Sequence, residues 1–192
     1  MGGSMEIDNA LQVITKYHSD ISILHCVSEY PTRYENVNLN TIKYFQKKYS
    51  DYTIGYSDHT IGIATPIAAV AMGAKIIEKH ITLDRMMKGT DQAGSLAAEG
   101  IARMVRDIRN LEMSFGREDV FIAESVQTAR FKLERSIASV KELKAGHKIT
   151  EMDLHLLSPG DGVKWHERSE LIGKELSHDI SANEIIYKEY LK

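Results

Sequence analysis

Apolar residues along the first two thirds of the chain alternate between two periods. Ile7, Ala10, Leu11, Ile14 and Tyr17 recur at helical spacing behind Ser4, which predicts a helix from about Met5 to His18 with Ser4 as its N-cap. Ile21, Ile23, Leu24, Cys26 and Val27 then form an apolar run of strand length, expected to be covered on both faces and ended by Pro31. Leu39, Ile42 and Phe45 mark a second helix, and Thr53 to Tyr56 a second strand. Gly62 breaks the next loop, Ala64 to Met72 reads as a buried helix of small residues, and Lys75 to Glu78 as a third strand. Ile101, Met104, Val105, Ile108, Leu111 and Phe115 make one stripe of a last helix, which Gly116 stops.

This order is that of parallel βα units, and three strands are too few to close a barrel. From about Arg117 to Lys132 the sequence is polar and without sustained periodicity, as expected of a linker. Beyond Arg135, short β-rich runs (Ser136 to Val140, Ile185 to Tyr187) alternate with turn-formers such as Lys144-Ala145-Gly146 and Ser158-Pro159-Gly160-Asp161-Gly162. A compact, mostly β domain of about 60 residues is expected there, small enough that its core is marginal alone.

Composition removes several partners. The 24 basic and 27 acidic side chains leave a formal charge of −3 with no basic stripe, so nucleic acid is not expected. The 43% hydrophobic and 27% charged content predicts a packed core. The most apolar stretch, Ile61 to Ile77, is broken by Pro66, Gly73 and Lys75 and falls short of the roughly 20 apolar residues that span a bilayer, so no membrane partner is expected. No secretory signal is visible at the N-terminus, and the single cysteine cannot form an internal disulfide, which together suit a reducing, cytoplasmic setting. No glycine-rich phosphate loop is present.

Each predicted strand runs into polar residues at its C-terminal end: His25 to Pro31, Gly55 to Thr60, and Glu78 to Thr82. Ligands of parallel βα proteins bind at these ends, where the loops converge on one crevice. His59 and His80 follow their strands by nearly the same offset, so two imidazoles can meet at one metal, of a kind such as Mn, Fe, Co, Ni or Zn. The alternative is that each histidine only hydrogen-bonds within its loop. Glu78, two residues before His80 on the same strand face, can bind sugar hydroxyls or orient a water, or else pair with Lys79 or Arg85, although period two puts Lys79 on the opposite face. Asp58 is either an acceptor behind His59 or a turn-former. The hydroxyls of Ser28, Tyr30 and Ser57 suit phosphate or carboxylate oxygens as readily as helix caps. His18, His147, His155, His166 and His178 read as bystanders, Met86, Met87 and Trp165 as core or rim, and Cys26 as buried and inert.

In order along the chain, Leu24 to Thr32, Gly55 to Thr60, Ile77 to Asp84 and Gly89-Thr90-Asp91 resemble the C-terminal half of the N-acetylneuraminate (sialic acid) synthases. Arg135-Ser136-Ile137, Lys144-Ala145-Gly146, Ser158 to Gly162 and Leu171 to Lys174 resemble their SAF, or antifreeze-like, domain. The resemblance implies an α/β fold: a partial (β/α) TIM-barrel segment of about three βα units over residues 1–116, a linker over 117–133, and a small, mostly β SAF domain of β-clip type over 134–192. It implies condensation of phosphoenolpyruvate with an N-acyl amino-sugar aldehyde, typically N-acetylmannosamine, to a nonulosonic acid and phosphate. A divalent metal, Mn²⁺ or Mg²⁺, is then expected on His59 and His80. By the same resemblance Ser57 matches a phosphoenolpyruvate contact and Ser28 falls where many members carry a polar residue, often Asn, near phosphoenolpyruvate. Tyr30, Glu78 and Asp91 match sugar-side contacts, Glu78 also placed to handle a hydroxyl proton or water. A homodimer with the SAF domain over the partner's barrel is also implied.

Two departures bear on this reading. Ser158 stands where many sialic acid synthases carry an arginine that reaches the acyl sugar, which leaves legionaminic or pseudaminic acid specificity as an alternative. The family's barrel has eight strands, and this chain begins just after the fifth, as a fragment or one part of a split protein is expected to. A non-catalytic alternative follows, in which the SAF domain is a carbohydrate-binding or interaction module on a truncated scaffold.

Overall fold

Three short extended runs, β1 (Ser22–Cys26), β2 (Thr53–Asp58) and β3 (Ile76–Lys79), pair in parallel in the order β1-β2-β3. They belong to a computed structural model that describes residues 1–192 and divides into two compact units, Met1–Arg117 and Glu118–Lys192. In the first unit α1 (Ser4–Ile14) precedes β1, α2 (Asn40–Lys48) joins β1 to β2, α3 (Ala64–Ala71) joins β2 to β3, and α4 (Ala98–Ser114) follows. The alternation of helix and strand legible in the sequence is therefore present, with shifted ends. Gly116, in the left-handed region at φ 58°, closes α4 as expected.

The start of α1 differs from expectation. Gly3, not Ser4, is the N-cap, and the Glu6 carboxylate reaches back to accept the Gly3 N–H at 2.9 Å. Ser4 lies inside the helix, its hydroxyl 2.9 Å from Tyr44 Oη. A carboxylate in the first turn meets the positive end of the helix and an otherwise unpaired donor together, which a serine hydroxyl does less well.

The core lies on one face of the sheet, where Ile23, Ile54 and Tyr56 pack against Val37, Ile42, Phe45 and Ala69. His25 belongs to this face and not to the crevice that its position suggested. Its Nε2 donates to the Val37 carbonyl at 2.6 Å, and its ring stacks on Tyr56. Coverage of β1 on both faces is not observed within the unit: Ser22 is exposed and Leu24 and Cys26 are half-buried. The row Leu24, Gly55 and Ile76, aligned by the strand register, makes up part of the other face.

In the second unit, residues expected to be linker fold into a 3-10 turn, Glu124–Val126, and α5, Gln127–Leu133. Val126, Phe131 and Leu133 are all exposed, so this helix has no buried stripe to betray it, and ion pairs of Glu134 with Arg130 and Lys164 secure its end. β4 (Ser136–Ser139) pairs antiparallel with β5 (Leu154–Leu157) over a core that includes Ile137, Leu143, Ile149, Leu171, Leu176, Ile180 and Ile186. The strand expected at Ile185 to Tyr187 is reduced to one bridge, Ala138 with Ile185. The other edge of β4 is shared between Val163, which accepts the Ile137 N–H, and Glu184, which accepts the Ser139 N–H, so neither segment pairs for long.

His147 has a structural partner in this unit. Asp153, 2% exposed, accepts the Thr150 N–H at 3.0 Å and hydroxyl at 2.7 Å, lies 2.9 Å from His147 Nε2, and pairs with Lys141 at 3.1 Å. Burial alone raises the Asp153 pKa, but the bonds from His147, Thr150 and Lys141 outweigh it and hold the carboxyl well below the usual carboxylate range.

Two outcomes are expected. A Cβ at position 55 falls 2.7 Å from the Ile76 carbonyl and 2.9 Å from Leu24 Cγ, so Gly55→Ala forces β1 and β3 apart and should cost about 1–3 kcal/mol in urea unfolding followed by far-UV circular dichroism. Unchanged stability contradicts that packing. Because the folded-state pKa of Asp153 is depressed, its contribution is present above the unfolded value near about pH 4 and is lost as pH falls toward the folded value. Trp165, the single tryptophan, lies in this unit, so its fluorescence in thermal melts should show stability falling below about pH 4 in the wild type and more weakly in Asp153→Asn. Equal acid sensitivity of the two proteins contradicts the assignment.

Candidate active site

The β2–β3 ladder ends on the pair Asp58 and Lys79, and His59 and His80 are the next residues after each strand. Lys79 Nζ lies 2.7 Å from Asp58 Oδ2, with the two side chains 3% and 0% exposed. Asp58 Oδ1 accepts from Tyr56 Oη at 2.8 Å and from the Thr60 N–H at 2.9 Å, and Oδ2 accepts from Thr60 Oγ1 at 3.1 Å. The Thr65 hydroxyl stands 2.6 Å from Thr60 Oγ1 and 3.1 Å from Asp58 Oδ1, and Lys79 also donates to the Thr60 carbonyl. A buried ion pair persists only when its remaining hydrogen-bonding capacity is met in this way. Burial, together with the bond to Asp58, pushes the Tyr56 phenol up, which keeps it a donor. Asp58 thus both shapes the turn at Thr60 and anchors β3, and Lys79 pairs with Asp58 and not with Glu78.

His59 is 9% exposed, and its Nδ1 lies 2.7 Å from the Val27 carbonyl. A carbonyl only accepts, so a proton sits on Nδ1, and in the neutral ring Nε2 is the nitrogen with the lone pair. His80 Nδ1 is 3.3 Å from Asp91 Oδ2, which favours the same tautomer. The two rings meet edge to face with centroids 5.0 Å apart. Tyr30, 54% exposed, lays its ring 4.1 Å from His59 and 5.6 Å from His80. A cavity of about 100 Å³ is lined by Tyr30, His59, His80 and Asp91, with Asp58 and Lys79 also at its wall. Cys26 is half-buried and not sealed in the strand as expected, its Sγ 3.9 Å from His59 Nδ1.

Ser57 and Glu78 are register partners, and the Ser57 hydroxyl donates to Glu78 Oε1 at 2.6 Å. Ser57 is buried and Glu78 exposed. With its proton directed at Glu78, Ser57 offers other groups only lone pairs, so donation to an anionic oxygen requires its hydroxyl to turn. Neither residue lines the histidine cavity, and Ser28 is exposed in the loop after β1, also outside it. The structure therefore groups Tyr30, His59, His80 and Asp91, sets Ser57 with Glu78, and leaves Ser28 apart. Thr60, Thr65 and the Lys79 partnership were missed from sequence. The signal for Lys79 lay in parity, since Asp58 and Lys79 each precede a histidine by one residue.

Two imidazoles with unclaimed Nε2 atoms fit a divalent cation of intermediate softness. No three His, Cys, Asp or Glu side chains gather as a metal-ligand set, so the donors suit an open site whose other positions fall to water or a substrate oxygen.

Residues 1–120 match the NeuB family model, and residues 134–192 match the SAF domain model. The chain is 33% identical to N,N'-diacetyllegionaminic acid synthase of Legionella pneumophila over 97% of its own length and 54% of that protein's. It is likewise 33% identical to N-acetylneuraminate-9-phosphate synthase of Homo sapiens, over 93% of its length and 50% of that protein's. The crystal structure of N-acetylneuraminic acid (sialic acid) synthetase from Leptospira borgpetersenii superposes with a TM-score of 0.60 at 36% identity, covering 67% of this chain and 45% of that one. The chain thus spans about half the length of these relatives, and its three parallel strands form part of a TIM-barrel sheet. On the family match over residues 1–120 and the SAF match that follows it, the chain belongs to the NeuB family and carries an SAF domain.

Proposed function

We propose that the Met1–Arg117 unit provides the metal-holding side of a nonulosonic acid synthase site, which condenses phosphoenolpyruvate with an N-acyl amino-sugar aldehyde. The observation that carries this reading is the pair of imidazoles, His59 and His80, with Nδ1 atoms engaged and Nε2 atoms left for a ligand. His59 and His80 would hold a divalent cation, Mn²⁺ or Mg²⁺, which when bound supplies Lewis acidity to an aldehyde oxygen. The Tyr30 ring, over both imidazoles, forms a wall against which a sugar can rest, and Asp91 accepts from sugar hydroxyls at the same cavity. Glu78, with Ser57 already donating to it, is a carboxylate placed to take a proton from a hydroxyl or water. Ser28 is free to meet a carboxylate or phosphate oxygen once one approaches the end of β1.

The sugar is N-acetylmannosamine or a related acylated amino sugar. Both a legionaminic acid synthase and a neuraminate-9-phosphate synthase are relatives at 33% identity, so the panel includes the amino sugars of both. Since the chain spans half of these relatives, the assay pairs it with a separately produced N-terminal half of a family barrel, with phosphoenolpyruvate, Mn²⁺ and a panel of acylated amino sugars. Sugar-dependent phosphate release is expected, lost by at least about 100-fold in His59→Ala and His80→Ala. Release that ignores both substitutions, or no sugar-dependent release with any member of the panel, overturns the proposal.

A further inference from the structure

Beyond the last ladder pair the two histidine-bearing segments part company. The His59 carbonyl accepts the Thr32 N–H at 3.0 Å, on the β1 side. The His80 carbonyl accepts the Leu96 N–H at 3.0 Å, on the opposite side, and Ile81 bridges Leu96 in turn. The backbones thus diverge where the imidazoles must converge. The side chain that spans the gap is Lys79, which leaves β3 and reaches both Asp58 Oδ2 and the carbonyl of Thr60, one residue before and one after His59.

We propose that the Asp58–Lys79 pair is a positioning element for the histidine site: it straps the end of β3 to the turn after β2 so that His59 and His80 present their Nε2 atoms to one divalent cation. This rests on reading the two histidines as metal ligands. Lys79 is not itself a catalytic group. Its ammonium is buried and directed at two protein acceptors, so it has neither a lone pair nor the exposure that a base or nucleophile needs. Tyr56, Thr60 and Thr65 complete the strap by fixing both Asp58 oxygens, which leaves the carboxylate no other position.

Visible-absorption titration of the full chain with Co²⁺ alone tests this. Lys79→Met should weaken Co²⁺ binding by about 10- to 100-fold and alter the d–d bands, the scale expected when support behind a metal ligand is removed. Since Lys79→Met leaves Asp58 as an unpaired buried charge and risks unfolding, the double variant Asp58→Asn/Lys79→Met is measured beside it. That variant keeps the Oδ1 acceptor for Tyr56 Oη and the Thr60 N–H and should melt near the wild type, yet bind Co²⁺ as weakly as Lys79→Met. Lys79→Arg, which retains the charge and the pairing, should recover most of the affinity. Wild-type affinity and bands in the folded double variant overturn the strap while leaving the metal reading intact. Absence of Co²⁺ binding by the wild type, or binding indifferent to His59→Ala, overturns the metal reading itself.

Discussion

A carboxylate taken out of water must find a donor for each of its oxygens or lose its charge, and Asp58 meets that demand with groups from two strands, a turn and a helix. Tyr56 comes from β2, Thr60 from the turn, Thr65 from α3 and Lys79 from β3. Satisfying one side chain therefore ties together the elements whose ends carry the histidines. Removal of one partner of such a pair costs about 3–5 kcal/mol in general, because the other charge remains buried. That asymmetry makes the network a rigid support for the turn and the strand end that carry His59 and His80, which is what the proposed metal site needs of them.

The sheet itself is one-sided. Its core face is filled by Ile23, Ile54, Tyr56 and the helices, with His25 absorbed there as a donor to Val37. On the other side stand two rows, Leu24-Gly55-Ile76 and Cys26-Ser57-Glu78, the second bearing the Ser57 hydroxyl and the Glu78 carboxylate. The hydrogen-bonded Ser57–Glu78 pair thus lies on that face and the imidazole pair at the strand ends.

Much of this was legible in the sequence because strand parity and helical period are imposed by backbone geometry. The parallel βα order, Gly116 as a helix stop, Lys79 opposite to Glu78 and the matched offsets of His59 and His80 all follow from it. What escaped depended on tertiary choices. Parity sends the adjacent His25 and Cys26 to opposite faces, but which face the helices cover, so that His25 meets Val37 and Cys26 lies beside His59, is set by packing. Ser4 has the chemistry of an N-cap, but Glu6 reaches back to Gly3 instead. The helix Gln127–Leu133 leaves its apolar side chains exposed and so carries no periodic burial signal. The Asp58–Lys79 partnership needed the β2–β3 register, which pattern alone does not supply.

Long-range ¹H–¹⁵N correlation of the imidazoles in the full chain, before and after Zn²⁺, tests most directly whether the strand ends hold two converging ligands. His59 and His80 should both appear as Nδ1–H tautomers with bare Nε2 atoms, and their Nε2 resonances should move together as Zn²⁺ is added. A proton on Nε2 of either ring, or Zn²⁺ shifting one histidine while the other stays unchanged, would contradict a shared site.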